Sequence, residues 1–264
     1  MKIHVSTWAD HLVKPWFKHH RHPPLADTER SAPTVSIRQA PVAKRPRFSI
    51  YDVYAQIFKI WRRKRFVLFI RLLSPQRTQC LIDVGGYPGF WTQHRPLLGH
   101  IDTLNLHPVT WEDRSLPEYH IQTLVGDGCA LGIPDKSYDI AFSNSVIEHV
   151  GSWSRQQSFA DEIRRVGKAV WVQTPAFACP IEPHYLAPFI HWLPGKLQKK
   201  IVRWLTPWGL ISRPSASEVD QMVESIRLLT KREMRALFPD CRIYTERLLG
   251  FIPKSYIAVR EAAG

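Results

Sequence analysis

The spacing of apolar positions changes character several times along the chain. From Ser49, where Ser49-Ile-Tyr-Asp52 resembles a capping box, Ile50, Val53, Tyr54, Ile57 and Trp61 keep helical spacing and predict a helix of about 20 residues. From Cys80 the pattern alternates between short β-branched runs and amphipathic stretches, as in a parallel α/β sheet with helical crossovers. Five strands are predicted at Leu81–Val84, Ile101–Leu106, Ile121–Val125, Tyr138–Ser143 and Ala169–Gln173. Ahead of the fifth, Phe159, Ile163 and Val166 fall on one helix face, with Ser154 as the expected cap and Gly167 as the stop. The helix after the first strand should be short, because Pro96 follows Gly89 by only seven residues. Past Thr174-Pro175 the alternation stops for about 40 residues. Residues 175–214, with seven prolines and a run of aromatic residues, read as an inserted cap. A short helix at Thr230–Leu237 and strands at Ile243–Leu249 and Ser255–Arg260 close the chain. Residues 1–48 carry six prolines and no periodicity, and read as a flexible tail before a domain over 49–264.

Composition narrows the class. Of a formal net charge of +13, residues 1–78 hold 16 Lys and Arg against 4 Asp and Glu, a net of +12, while residues 79–264 are nearly balanced at 20 against 19. The basic excess therefore belongs to the amino-terminal arm, and the body lacks the continuous positive field of a protein that tracks phosphates. No apolar run approaches the ~20 residues that span a bilayer, and Met1–Arg21 lacks the apolar stretch of an export signal. A cytoplasmic protein, in peripheral contact with a membrane through its basic helices, is the expectation. Cys80, Cys129, Cys179 and Cys241 are scattered, which argues against a zinc site or a disulfide framework.

The chemistry concentrates where strands end. Cys80–Trp91 breaks from an apolar run into Gly85, Gly86 and Gly89 directly after Asp83, a strand ending in a turn whose backbone can approach a ligand closely. Asn105 ends the second strand about 20 residues on, where nucleotide-binding folds place a group for ribose hydroxyls. Gly126-Asp-Gly128 follows the third strand, and Ile133–Ile140 leads into Ala141-Phe-Ser-Asn-Ser-Val-Ile-Glu-His-Val150. Together with Arg164–Pro175, these motifs resemble, in order, those of class I S-adenosylmethionine-dependent methyltransferases, of the small-molecule type with a Glu-His pair after strand four. The resemblance covers about residues 80–260 and departs from the family at Tyr87, in place of the central glycine, and at Asn105, in place of an acid.

The resemblance implies a Rossmann-like, seven-stranded, mostly parallel sheet with an antiparallel C-terminal pair and a helical cap. S-adenosylmethionine is the implied cofactor, held by Asp83, Gly85, Gly86, Tyr87, Gly89, Asn105, Leu106, Asp127, Gly128 and Asn144, with Asp127 on the adenine amino group. It places His149 as a candidate base, with Glu148 to orient it or to help close the cofactor pocket. Methyl transfer itself requires no metal, and none is expected. In the cap, His184, Tyr185, His191 and Trp192 form a candidate acceptor pocket, and Gly195–Leu205 sets Leu197, Ile201, Trp204 and Leu205 on one helix face against lysines and Arg203. The acceptor is expected to be small or lipid-like rather than a nucleic acid. Two alternatives remain: an RNA or protein methyltransferase recruited by the tail, and a binding module that has lost catalysis. The oligomeric state is left open.

Overall fold

A computed structural model describes residues 50–94, 98–109 and 120–262, with side chains from Trp61 onward. The expected tail over 1–48, the cap residue Ser49 and Pro96 lie outside these residues. Seven strands form one sheet: β1 (Cys80–Val84), β2 (His100–Asn105), β3 (His120–Val125), β4 (Tyr138–Asn144), β5 (Gly167–Pro175), β8 (Arg242–Leu248) and β9 (Ile252–Arg260). Their order is β3-β2-β1-β4-β5-β9-β8. The first five run parallel, and β9 enters antiparallel between β5 and β8. The order reverses at β1, so the carboxyl ends of β1, β2 and β4 border the crevice in which such sheets bind ligands.

Each face of the sheet has its own core. On one side α3 (Trp153–Val166) lays Phe159, Ile163 and Val166, all fully buried, against Ile82, Ala141, Val170 and Val172. The helical spacing seen in the sequence is the spacing of this contact. Its cap is Ser152, whose Oγ accepts from the Arg155 N–H, and not Ser154; Gly167 ends the helix and at once begins β5. On the other side α1 (Ile50–Leu73) and the seven-residue α2 (Pro88–His94) enclose an aromatic cluster. There Phe69 meets the rings of Trp91, Phe142 and Trp171 at 5.2–6.1 Å. Pro88 opens α2 at the position where a missing N–H costs nothing.

The basic run in α1 is not uniformly a solvated face. Arg65 is buried and donates to Gln173 at the end of β5 (2.6 Å) and to Glu246 on β8 (3.0 Å), clamping the helix to the sheet.

The insertion extends beyond the expected limit of residue 214. It contains the short pair β6 (Ile181–Glu182) and β7 (Ala187–Pro188), then α4 (Gly195–Leu205), α5 (Pro207–Ser212) and α6 (Ala216–Ser225). Tyr185, Ile190, Val202, Trp208, Val219 and Met222 form its own small core, so α6 belongs to the cap. The insertion leaves and rejoins the body side by side, because Ala176 bridges Leu229 and Phe177 N–H donates to the Leu229 carbonyl. α7 (Lys231–Leu237), closed by a Thr230–Glu233 capping box, then packs Met234 and Leu237 into the α3 core. No helix among the described residues is long and apolar enough to cross a membrane.

Candidate active site

The glycine turn after β1 is built by close approach. Gly85 has φ +80°, and a Cβ there would lie 2.5 Å from Val146, so the turn presses against the loop that follows β4. A Cβ on Gly86 would fall 1.8 Å from the Asp83 carboxylate, which excludes any larger residue in this conformation. Asp83, expected at the ligand, turns inward and accepts from Trp91 Nε1 (2.8 Å). Burial raises its pKa to about 7 against the opposing effect of the Trp91 bond. Asp83 is thus a brace between β1 and α2. Tyr87 is half-buried, and its carbonyl accepts from the Phe90 N–H as α2 begins, with Gly89 inside that helix.

Asn105 donates from Nδ2 to the Gly86 carbonyl (2.8 Å), tying the end of β2 to the turn and leaving its own carbonyl oxygen to receive a hydroxyl. Leu106 beside it is 47% exposed. Asp127 stands at the end of β3 and accepts from Arg155 Nη2 (2.9 Å) and from the Cys129 N–H (2.9 Å). Partial burial pushes its pKa up, but these bonds outweigh it and the group is held below the usual carboxylate range. Gly128 has no room for a side chain, since a Cβ would meet Val84 at 2.7 Å and Phe159 at 2.9 Å. Asn144, expected near the cofactor, is a correction: its Oδ1 accepts from Trp171 Nε1 (3.2 Å) and so faces the aromatic core.

The Glu-His pair sits on a single 3-10 turn, Ile147–His149, entered through Ser145 at φ +54°. Gln156 of α3 donates to the Ile147 carbonyl, and the Arg227 N–H donates to the Glu148 carbonyl, which pins the turn between body and cap. Glu148 is fully buried, and burial raises its carboxyl pKa to about 7. Its Oε2 accepts from Thr174 (2.9 Å), whereas Oε1 has no hydrogen-bond partner. The expectation that Glu148 orients His149 is therefore corrected. That place is taken by His184 from the cap, whose Nε2 lies 3.1 Å from His149 Nε2, the rings meeting edge to face. His184 Nδ1 in turn lies 2.5 Å from Oε1 of the buried Glu182, which also accepts from the Tyr185 N–H (2.7 Å). Burial lowers the His184 pKa, but Glu182 overcomes this and raises it; burial and the nearby His184 charge push His149 well below the ordinary value.

Glu182 also lines a cavity of about 350 Å³ between cap and body, together with Phe177, Tyr185, His191, Arg227 and Glu233. Tyr185 is buried at this wall, while His191 and Trp192 both donate to the Phe177 carbonyl (2.9 Å) and brace the rim. Of the four expected acceptor residues, Tyr185 and His191 line the cavity, Trp192 supports it, and His184 joins the Glu148–His149 centre. Thr174 lies within the Arg164–Pro175 motif, while Glu182, Arg155 and Arg227 enter the site without a motif to announce them. Glu182 leaves a trace in the sequence as a carboxylate two residues before His184: it ends β6, and His184 lies in the turn that follows.

The strand order is that of the class I, Rossmann-like methyltransferase fold. The methyltransferase-domain family model matches residues 92–169, from α2 to the start of β5. Over those residues the chain is similar to methyltransferase domains. No curated protein matches it. Among solved structures it is similar to magnesium protoporphyrin IX methyltransferase from Synechocystis PCC 6803 with bound SAH: 9% identity, TM-score 0.49, covering 82% of this chain and 90% of that one. It is also similar to S-adenosylmethionine-dependent methyltransferases from Anabaena variabilis (14%, 0.45, 84% and 98%) and Methanosarcina mazei (14%, 0.39, 70% and 92%). The strand order, not these distant likenesses, carries the fold assignment.

Proposed function

We propose that the protein methylates a small acceptor with an apolar portion, drawn from a lipid surface, using S-adenosylmethionine. The observation that carries this reading is the cavity between cap and body, which shares Glu182 with the His149–His184 pair. Its wall combines aromatic rings with two carboxylates and one guanidinium, which suits a small acceptor and opposes a polyanion.

The rim at the ends of β1, β2 and β3 fits the cofactor. The cramped glycine turn offers backbone groups to the amino-acid end, Asn105 its free carbonyl oxygen to the ribose, and Leu106 and Asp127 an apolar edge and a hydrogen-bond acceptor to the adenine. When bound, S-adenosylmethionine supplies an electrophilic methyl carbon. The chain's part is to hold the acceptor in line, shield it from water and manage any proton it sheds. The contact between Gly85 and Val146 keeps the turn against the loop that leads to His149. A methyl group presented at the turn thus lies on the His149 side of the crevice.

Supply from a lipid surface is supported by α4 and α5. Trp204 and Leu205 are 64% and 71% exposed, Leu197, Leu210 and Ile211 are also exposed, and Lys196, Lys200 and Arg203 lie alongside.

Calorimetry with S-adenosylmethionine and S-adenosylhomocysteine tests the cofactor assignment. Micromolar binding is expected, with Asp127→Ala weakening it about tenfold, or about 1.4 kcal/mol. Lack of binding at millimolar ligand would overturn the reading. A mass-spectrometric screen of cell extract for methylated products then identifies the acceptor.

A further inference from the structure

We propose that Glu148, His149 and His184 form a binding site for one divalent transition-metal ion of the zinc class. The proposal goes beyond the methyl-transfer reading and stands whether or not that reading holds.

The ring edges dictate it. His184 Nδ1 faces the Glu182 carboxylate at 2.5 Å, so that nitrogen carries a proton. The His149 ring has the Ser225 backbone beside it. The two Nε2 atoms lie 3.1 Å apart. Two imidazole nitrogens so placed can share a proton or hold a metal ion between them. The third donor favours the metal. Glu148 is fully buried with Oε1 unpartnered, and one carboxylate oxygen and one nitrogen of each ring all lie within 4.8 Å of one another.

A proton bridging two nitrogens leaves that oxygen unsatisfied, whereas a divalent ion takes all three donors and neutralises the buried charge. Ligand distances near 2.1 Å require the carboxylate to close in by only about 1 Å. Two imidazoles and a carboxylate suit zinc and its neighbours rather than calcium or magnesium, and three protein ligands leave a position for water or an acceptor oxygen. The Glu182–His184 contact is the arrangement by which metal-binding histidines are oriented. Neither ground for expecting no metal, the demands of methyl transfer or the scattered cysteines, bears on a His-His-Glu site.

The test uses the tag-free full chain, stripped with chelator and titrated with Zn²⁺ and Co²⁺. One equivalent per chain is expected, with visible d–d absorption for Co²⁺ and no thiolate charge-transfer band. His184→Gln and Glu148→Gln should abolish uptake while retaining far-UV dichroism, and Glu182→Gln should weaken it 10–100-fold. Failure of the wild-type chain to take up either ion overturns the proposal, as does uptake unchanged in His184→Gln. Should the variants fail to fold, the wild-type Co²⁺ spectrum decides: nitrogen and oxygen ligation supports the site, and thiolate ligation overturns it.

Discussion

Asp83 shows how far one residue's role can move while its identity stays informative. Its place after a β-branched run correctly marks the end of β1, yet its carboxyl group serves Trp91. A carboxyl group whose pKa rises from an ordinary 3.8 to about 7 in the folded state means that folding takes up a proton between those values. The stability associated with Asp83 is fully present below the unfolded pKa and is lost as pH rises through about 7. Urea unfolding from pH 4 to pH 8 should therefore show the wild type losing stability that Asp83→Asn retains. The difference should reach a few kcal/mol at pH 8, since each tenfold gain in proton affinity on folding is worth about 1.4 kcal/mol. Asn keeps an acceptor for Trp91, so equal pH profiles for the two proteins would contradict the neutral, buried acid. His149 is legible from its motif, but its partner His184 is not, because only tertiary packing brings two histidines 35 residues apart in sequence to 3.1 Å.

Elements are legible where their own residues define them and obscure where distant contacts decide. The five parallel strands and α4 follow from local pattern, α4 at the expected Gly195–Leu205. The α3 cap is ambiguous in the sequence because Ser152 and Ser154 can both serve locally, and it is Ser152 that takes the extended backbone of a cap. The far boundary of the insertion is hidden because α6 is an ordinary amphipathic helix until Val219 and Met222 meet Val202. α4 itself turns the expected buried stripe around. Val202 is the buried residue, and Leu197, Trp204 and Leu205 face out beside the basic side chains. Co-sedimentation should find the chain on vesicles containing anionic lipid. The double substitution Trp204→Ser and Leu205→Ser should lower the bound fraction several-fold without changing the melting temperature by more than a few degrees. Equal binding by both proteins would remove α4 from the membrane reading.

At the scale of the molecule, Arg65 holds three distant parts together: α1, the end of β5 and β8. Arg65→Ala leaves Glu246, whose side chain is 9% exposed, with the Ser255 hydroxyl and the longer contact to Lys254 at 3.8 Å. Breaking such a buried pair should cost about 3 kcal/mol, measured as a lowered urea midpoint. A loss below about 0.5 kcal/mol would show that Ser255 and Lys254 suffice. This clamp is invisible in a run of four basic residues, where composition suggests a solvated face and only the tertiary fold singles out Arg65.

The side-by-side junction at Ala176 and Leu229 has a consequence for how this centre can change. Because residues 177–228 depart and return at one point of the sheet, they can be lengthened, trimmed or exchanged without disturbing strand order. Yet Glu182 and His184 lie inside that segment, while Glu148 and His149 belong to the body. Half of the reactive cluster is thus carried by a graft. A replacement of the insertion would change which molecule is admitted and which side chains meet it in the same event, so selectivity and chemistry are inherited together.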